Sequence, residues 1–220
     1  MTKSKFFSGV FVSQLVIVAV MAFVGILLYN NLPDLIPNHW NIYGEIDSYW
    51  PKLTQLIFIP AITLAMALLF QFLPLIDPKK EKYVLFRKPW IVLQMSIIIF
   101  FAYLFFVTLY MAFYPLTPII PFIFGGIGVL FVLLGNYLGK IRQNYFIGIK
   151  TPWTLDNEEV WNKTHRLGGW MFTICGLIVF AEAFIQWQVA WVFIAAVIPT
   201  ALVPIIYSYF IFRSEKKHLK

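Results

Sequence analysis

Charge is what this sequence has least of. Only 12% of its 220 residues are Asp, Glu, Lys or Arg, whereas an average soluble domain carries roughly a quarter. Cysteine is nearly absent too. Cys175 stands alone, so no intrachain disulfide can form, and one thiol makes no metal site. Lying in an apolar stretch, it reads as a packed, unreactive thiol. Histidine is limited to His39, His165 and His218. No HExxH pair, Ser/His/Asp set or cysteine-nucleophile arrangement is visible. Enzymatic activity and a cofactor are therefore not expected.

What remains is apolar: 60% of the residues are hydrophobic and 19% aromatic. A soluble domain of this size could not bury so much, and the expected class is a polytopic all-α membrane protein. A helix needs ~20 apolar residues to cross the hydrocarbon layer, and six runs qualify: 6–29, 53–73, 90–114, 119–138, 167–187 and 189–212. The runs are continuous, whereas barrel strands alternate. Run 6–29 follows Lys3 and Lys5 but exceeds the apolar region of a signal peptide, about 7–15 residues, so it reads as an uncleaved span. The short link Pro115-Leu116-Thr117-Pro118 and the near-direct join at Gln188 predict antiparallel hairpins. Pro199 and Pro204 predict a kink in the last span.

The whole chain, 1–220, is expected to be one membrane domain. Its parts are a hairpin 1–74 with an outer cap 31–52, a hairpin 90–138, a cytoplasmic loop 139–166, a hairpin 167–212 and a basic tail 213–220. Lys and Arg set the orientation. With the N-terminus inside, 16 of the 17 basic residues fall on inner segments and only Lys52 is outside. The positive-inside rule then puts both termini in the cytoplasm. This placement also explains the +7 net charge without direct nucleic-acid binding, and it favours anionic lipid. Trp40, Trp50, Trp187 and Trp191 fall at the expected outer boundary, and Trp90, Trp153, Trp161 and Trp170 at the inner one, as aromatic belts do.

Two polar segments stand out. In the outer one, Pro33 and Pro37 fix extended or turn geometry and Gly44 supplies a turn. His39, Glu45 and Asp47 could ligate a divalent ion, but one histidine and two carboxylates make a sparse set, and a solvated cap is the favoured reading. In the inner one, the stretch 144–149 is expected to be extended or re-entrant and Thr151-Pro152 to turn. Asp156 is expected to cap a helix from Asn157 to about Arg166, with Glu159 and Lys163 paired at i,i+4. Trp161, Thr164, His165 and Gly168 share one face of that helix. That face either docks or lies in the interface. A structural reading makes Trp153 and Trp161 anchors, puts Lys150 and Arg166 on lipid phosphates and bonds His165 to a backbone carbonyl. The alternative is partner binding. Glu182, near the outer end of the fifth span, is the one acidic residue inside a run and is expected to bond locally.

The inner segment resembles the signature of the SdpI family of bacterial membrane immunity proteins. The resemblance lies in Asn144, Ile147-Gly148-Ile149, Thr151-Pro152-Trp153-Thr154-Leu155, Val160-Trp161 and Thr164-His165-Arg166. The outer segment is similar to a domain of unknown function found in many relatives, through Pro33, Ile36-Pro37, His39, Asn41, Gly44 and Asp47. Lys150 departs from the pattern, since the family more often has Arg there; a bidentate anion contact would be weaker with Lys.

The resemblance implies a multi-pass protein of the bacterial cytoplasmic membrane that protects against a secreted toxin peptide. It also implies a receptor that holds a cytoplasmic transcriptional repressor at the membrane. The partner-contacting set would be Asn144, Gly148, Lys150, Thr151, Pro152, Trp153, Thr154, Trp161, Thr164, His165 and Arg166 inside. Outside, the cap would present Pro37, His39, Asn41, Gly44 and Asp47. Two other classes compete. A small transporter or channel would need an ion route, for which Glu182 alone is a poor basis. A membrane metallohydrolase would need histidines that the expected topology separates by ~30 Å of hydrocarbon.

Overall fold

A computed structural model describes residues 3–218, and for residues 3–8, 217 and 218 the backbone alone. The expected basic side chains of Lys3, Lys5, Lys217 and Lys220, and the ring of His218, therefore lie outside the described residues. Among the described residues, six helices are long and apolar enough to cross a membrane. They are α1 (Lys3–Leu28), α2 (Lys52–Ile76), α3 (Arg87–Phe113), α4 (Ile120–Leu138), α6 (Glu158–Ile185) and α7 (Val189–His218). A short helix, α5 (Pro152–Asp156), precedes α6, and a helical turn, Lys80–Val84, precedes α3. The expected all-α, six-span architecture is present. Among the described residues the one non-helical element is a hairpin of β1 (Leu35–Trp40) and β2 (Ile46–Pro51). Large apolar side chains on these helices, such as Phe23, Ile26, Leu69, Ile178 and Phe210, are exposed. Lipid satisfies such surfaces, provided that every backbone group is bonded within its helix.

Two compact units make up the chain, and each has its own interior. The first comprises residues 1–71 and 94–126. Met21, Leu32, Ile36, Ala102, Phe105 and Leu109 form an apolar cluster within it. Polar side chains are buried beside them in bonded sets. Gln14 Oε1 accepts from Gln71 at 3.4 Å, Gln14 Nε2 donates to Gln94 at 2.8 Å, and Gln55 donates to Thr108 at 2.9 Å. Such pairing joins α1, α2 and α3 where no hydrophobic force acts between helices in lipid.

The second unit comprises residues 72–93 and 127–220. Here α4 and α6 meet backbone to backbone at glycines. A Cβ on Gly176 would lie 2.6 Å from the Gly128 carbonyl oxygen, and one on Gly135 would lie 2.6 Å from the Gly169 carbonyl oxygen. Seven residues separate the glycines on each helix, so both contacts fall on one stripe. Small residues allow this approach in lipid-embedded helices.

Three local expectations need correction. The helix expected to end near Arg166 does not stop there; α6 starts at Glu158 and runs unbroken through the fifth apolar run. Its N-cap is Asn157, not Asp156. The Asn157 side-chain oxygen accepts from the backbone N–H of Glu159 and Val160. Asp156 is taken up as the last residue of α5. Thr151-Pro152 is no simple turn either, because Thr151 caps α5 and Pro152 opens it, where a missing N–H costs nothing. Glu182 bonds locally as expected. Its carboxylate accepts from the Gln188 N–H at 2.6 Å and its carbonyl from the Gln186 N–H, closing the α6–α7 turn.

Gly176→Val should lower thermal stability in detergent by roughly 1–3 kcal/mol, because added volume must separate two backbones. Gly125→Ala, with open space around its Cβ, should leave the unfolding midpoint near wild type. Equal effects from both changes would discount the glycine contacts.

Candidate functional site

The inner polar segment folds around two rings on the first turns of α6. Trp161 and His165 are four residues apart, so they stack on one face, with ring centroids 4.0 Å apart and 19° between planes. Both are fully buried. The Trp161 indole N–H donates to the carbonyl of Ile141 at 2.8 Å, where the chain has just left α4. Nδ1 of His165 lies 2.8 Å from the carbonyl of Trp161, and Nε2 lies 2.9 Å from the backbone N of Ile149. A carbonyl only accepts and an N–H only donates, so these partners fix one tautomer. The imidazole is neutral, with its hydrogen on Nδ1. The carbonyl bond expected of His165 is therefore present, but the second nitrogen holds the loop.

Gly148 makes this possible. Its φ is +113°, and a Cβ there would run into Nε2 of His165. Side chains would be strained at that φ as well as blocked. The stretch 144–149 is not extended. Instead the buried Asn144 side chain winds it: its oxygen accepts from the N–H of Phe146 and Ile147, and its amide donates to the carbonyls of Arg142 and Ile147. Thr151 and Thr154 form a reciprocal cap at the start of α5. The Thr154 hydroxyl also reaches the Ile149 carbonyl at 2.9 Å, and the Thr151 hydroxyl lies 3.1 Å from Ser208 on α7.

Residues outside the expected site set complete the frame. Asp77, 2% exposed, accepts from the N–H of Lys79, the Tyr83 hydroxyl and the N–H of Tyr145. It thereby ties the basic segment 77–88 to the loop. Burial and the Asp77 carboxylate together push the Tyr83 phenol well above its ordinary pKa, so it stays a donor. Gln143 donates to the carbonyls of Thr154 and Leu155 and accepts from the Lys79 ammonium. The step Asp77-Pro78 was a legible turn signal. Nothing marked Gln143 or Ser208.

Of the expected inner set, Asn144, Thr151, Thr154, Trp161, Thr164 and His165 are buried, while Gly148 is half-buried beside His165. Lys150, Pro152 and Arg166 are exposed, and Trp153 is half-buried with its ring edge on Tyr209. The buried members cannot touch a partner in this conformation. Lys163 pairs with Glu159 as expected, and also with Glu215, each at 2.8 Å.

The segment expected to form the outer cap folds as the hairpin. Asn41 organises its turn, accepting from the N–H of Tyr43 and Glu45 and donating to the Glu45 carboxylate at 2.8 Å. Gly44 takes φ +81°. His39 and Asp47, both exposed, pair at 2.6 Å, and Pro37 lies in β1 opposite Tyr49. Lys52 closes the base on Asp34 at 3.0 Å. Glu45 is thus engaged by Asn41, away from the His39–Asp47 pair. Among the described residues no group of three or more His, Cys, Asp or Glu could hold a metal ion.

A six-span helical protein with a hydrogen-bonded loop before its fifth span is the class that these features define. Residues 140–208 match the SdpI/YfhL protein family and residues 16–64 match a domain of unknown function, DUF1648. The first match holds the loop, α5, α6 and most of α7. It is similar to the immunity protein SdpI of Bacillus subtilis (strain 168), being 27% identical over 172 residues, which are 78% of this chain and 80% of that one. No solved structure matches. The chain is a multi-pass protein of the cytoplasmic membrane.

Asn157→Ala should destabilise the protein by about 1 kcal/mol through loss of the α6 cap, while Asp156→Ala should cost far less. Gly148→Ala should expel His165 from its bond to Ile149 and speed tryptic cleavage at Lys150. Cleavage at the wild-type rate would mean that the loop does not depend on that bond.

Proposed function

We propose that this chain is an immunity protein that protects a bacterial cell from a secreted antimicrobial peptide. The observation that carries the reading is the coincidence of two things in one segment. Residues 140–208 match the SdpI/YfhL family, and the same residues hold a polar loop organised by buried side chains. The charge pattern supports an orientation with both termini cytoplasmic. The hairpin 35–51 would then face the toxin, and the segment 139–166 would face the cytoplasm.

On the inner side the reading adds a second partner, a cytoplasmic repressor. The buried residues would set the loop's shape, while Lys150, Pro152 and the free edge of Trp153 would make the contact. On the outer side, Asn41 and Gly44 would hold the turn that presents His39 and Asp47. No catalytic step, metal or cofactor belongs to this function. A transporter reading draws no support from Glu182, whose carboxylate is engaged in closing a turn.

Expression in toxin-sensitive cells should raise survival, and unchanged killing at normal protein level would overturn the immunity reading. Lys150→Ala with Trp153→Ala should weaken recovery of the repressor in the membrane fraction while the level of this protein stays constant. An equal fall in both would assign those residues a structural role.

A further inference from the structure

Beside the buried rings, on the solvent side of α6, lies a cleft of about 320 Å³ lined by Gly139, Arg142, Asn162, Lys163 and Arg166. That volume is at the lower end of the ~300–1,000 Å³ found for small-molecule sites. Three of its five lining residues are cationic and none is acidic. Lys163 already shares its ammonium between Glu159 and Glu215. Arg142 feels the field of Glu158, yet among the described residues neither Arg142 nor Arg166 has a carboxylate at ion-pair distance. Two exposed guanidiniums therefore border one recess, beside a glycine and an amide side chain. Guanidinium forks pair with two oxygens at once, which suits a phosphate.

The position of the cleft indicates where the phosphate comes from. Gly139 directly follows α4, the fourth apolar span. Trp170, one turn beyond Arg166 on α6, is 67% exposed, and Lys140 lies over the Tyr137 ring at 4.5 Å. Exposed tryptophan, with tyrosine and lysine at a helix end, is the side-chain set of the headgroup level. We propose that this cleft binds the phosphate of an anionic lipid headgroup, with Arg142 and Arg166 as the principal donors and Asn162 and Lys163 completing the site. The site does not depend on the immunity reading, and its test involves no toxin or repressor.

The thermal midpoint of the full chain in neutral detergent, titrated with phosphatidylglycerol and separately with phosphatidylcholine of the same acyl chains, reads the binding. Phosphatidylglycerol should raise the midpoint saturably, and phosphatidylcholine should not. Arg142→Gln with Arg166→Gln should raise the half-saturating concentration on the order of tenfold, which is the scale of one lost strong contact. The double Lys variant should fall between. Lys80→Gln with Lys88→Gln makes the same charge change on exposed residues that do not line the cleft and should leave the titration at wild type. If that control weakens binding equally, diffuse surface charge is responsible and the site is overturned. A matching rise with inorganic phosphate alone would keep the phosphate site and overturn its lipid source. No rise with either ligand would overturn both.

Discussion

The stack of Trp161 on His165 is the contact that the second unit cannot do without. Two side chains one helical turn apart reach three separate pieces of backbone. Trp161 holds Ile141 at the exit of α4, His165 holds Ile149 in the loop, and the second ring nitrogen of His165 returns to α6 itself. A loop at the membrane surface has no apolar core of its own to order it. Here the order comes from buried hydrogen bonds, which are costly to leave unmade and so favour one arrangement over many.

That arrangement rests in turn on the glycine contacts between α4 and α6. With the two backbones touching, the end of α4 and the start of α6 have little freedom to shift, and the indole meets its carbonyl. Asp77 and Gln143 extend the same logic by tying the basic segment 77–88 and α5 to the loop. The first unit solves a related problem with different chemistry. Its hairpin is closed by Asn41 at one end and by Lys52 on Asp34 at the other, and its helices are joined by glutamine pairs.

Much of this was legible in the residues alone. Run length gave six spans, because hydrocarbon thickness fixes helix length. Gly44 and the cluster of prolines and polar residues around it announced a turn. The helical face of Trp161, Thr164, His165 and Gly168 was visible at its proper spacing. The errors share one cause, which is that neighbours in space were unknown. Asp156 and Asn157 are both good caps, and only α5 decides between them. Trp161 and His165 look like surface groups in a polar stretch until the loop folds over them. Gly128, Gly135, Gly169 and Gly176 become a stripe only once α4 and α6 are side by side.

The most direct measurement of the central claim is amide hydrogen exchange of the protein in lipid nanodiscs, read at Ile149. If His165 accepts from that N–H, Ile149 should exchange slowly, close to the first turns of α6, and should become fast in His165→Ala while the middle of α6 stays protected. Fast exchange of Ile149 in the wild-type protein, at the rate of an open loop, would contradict the account.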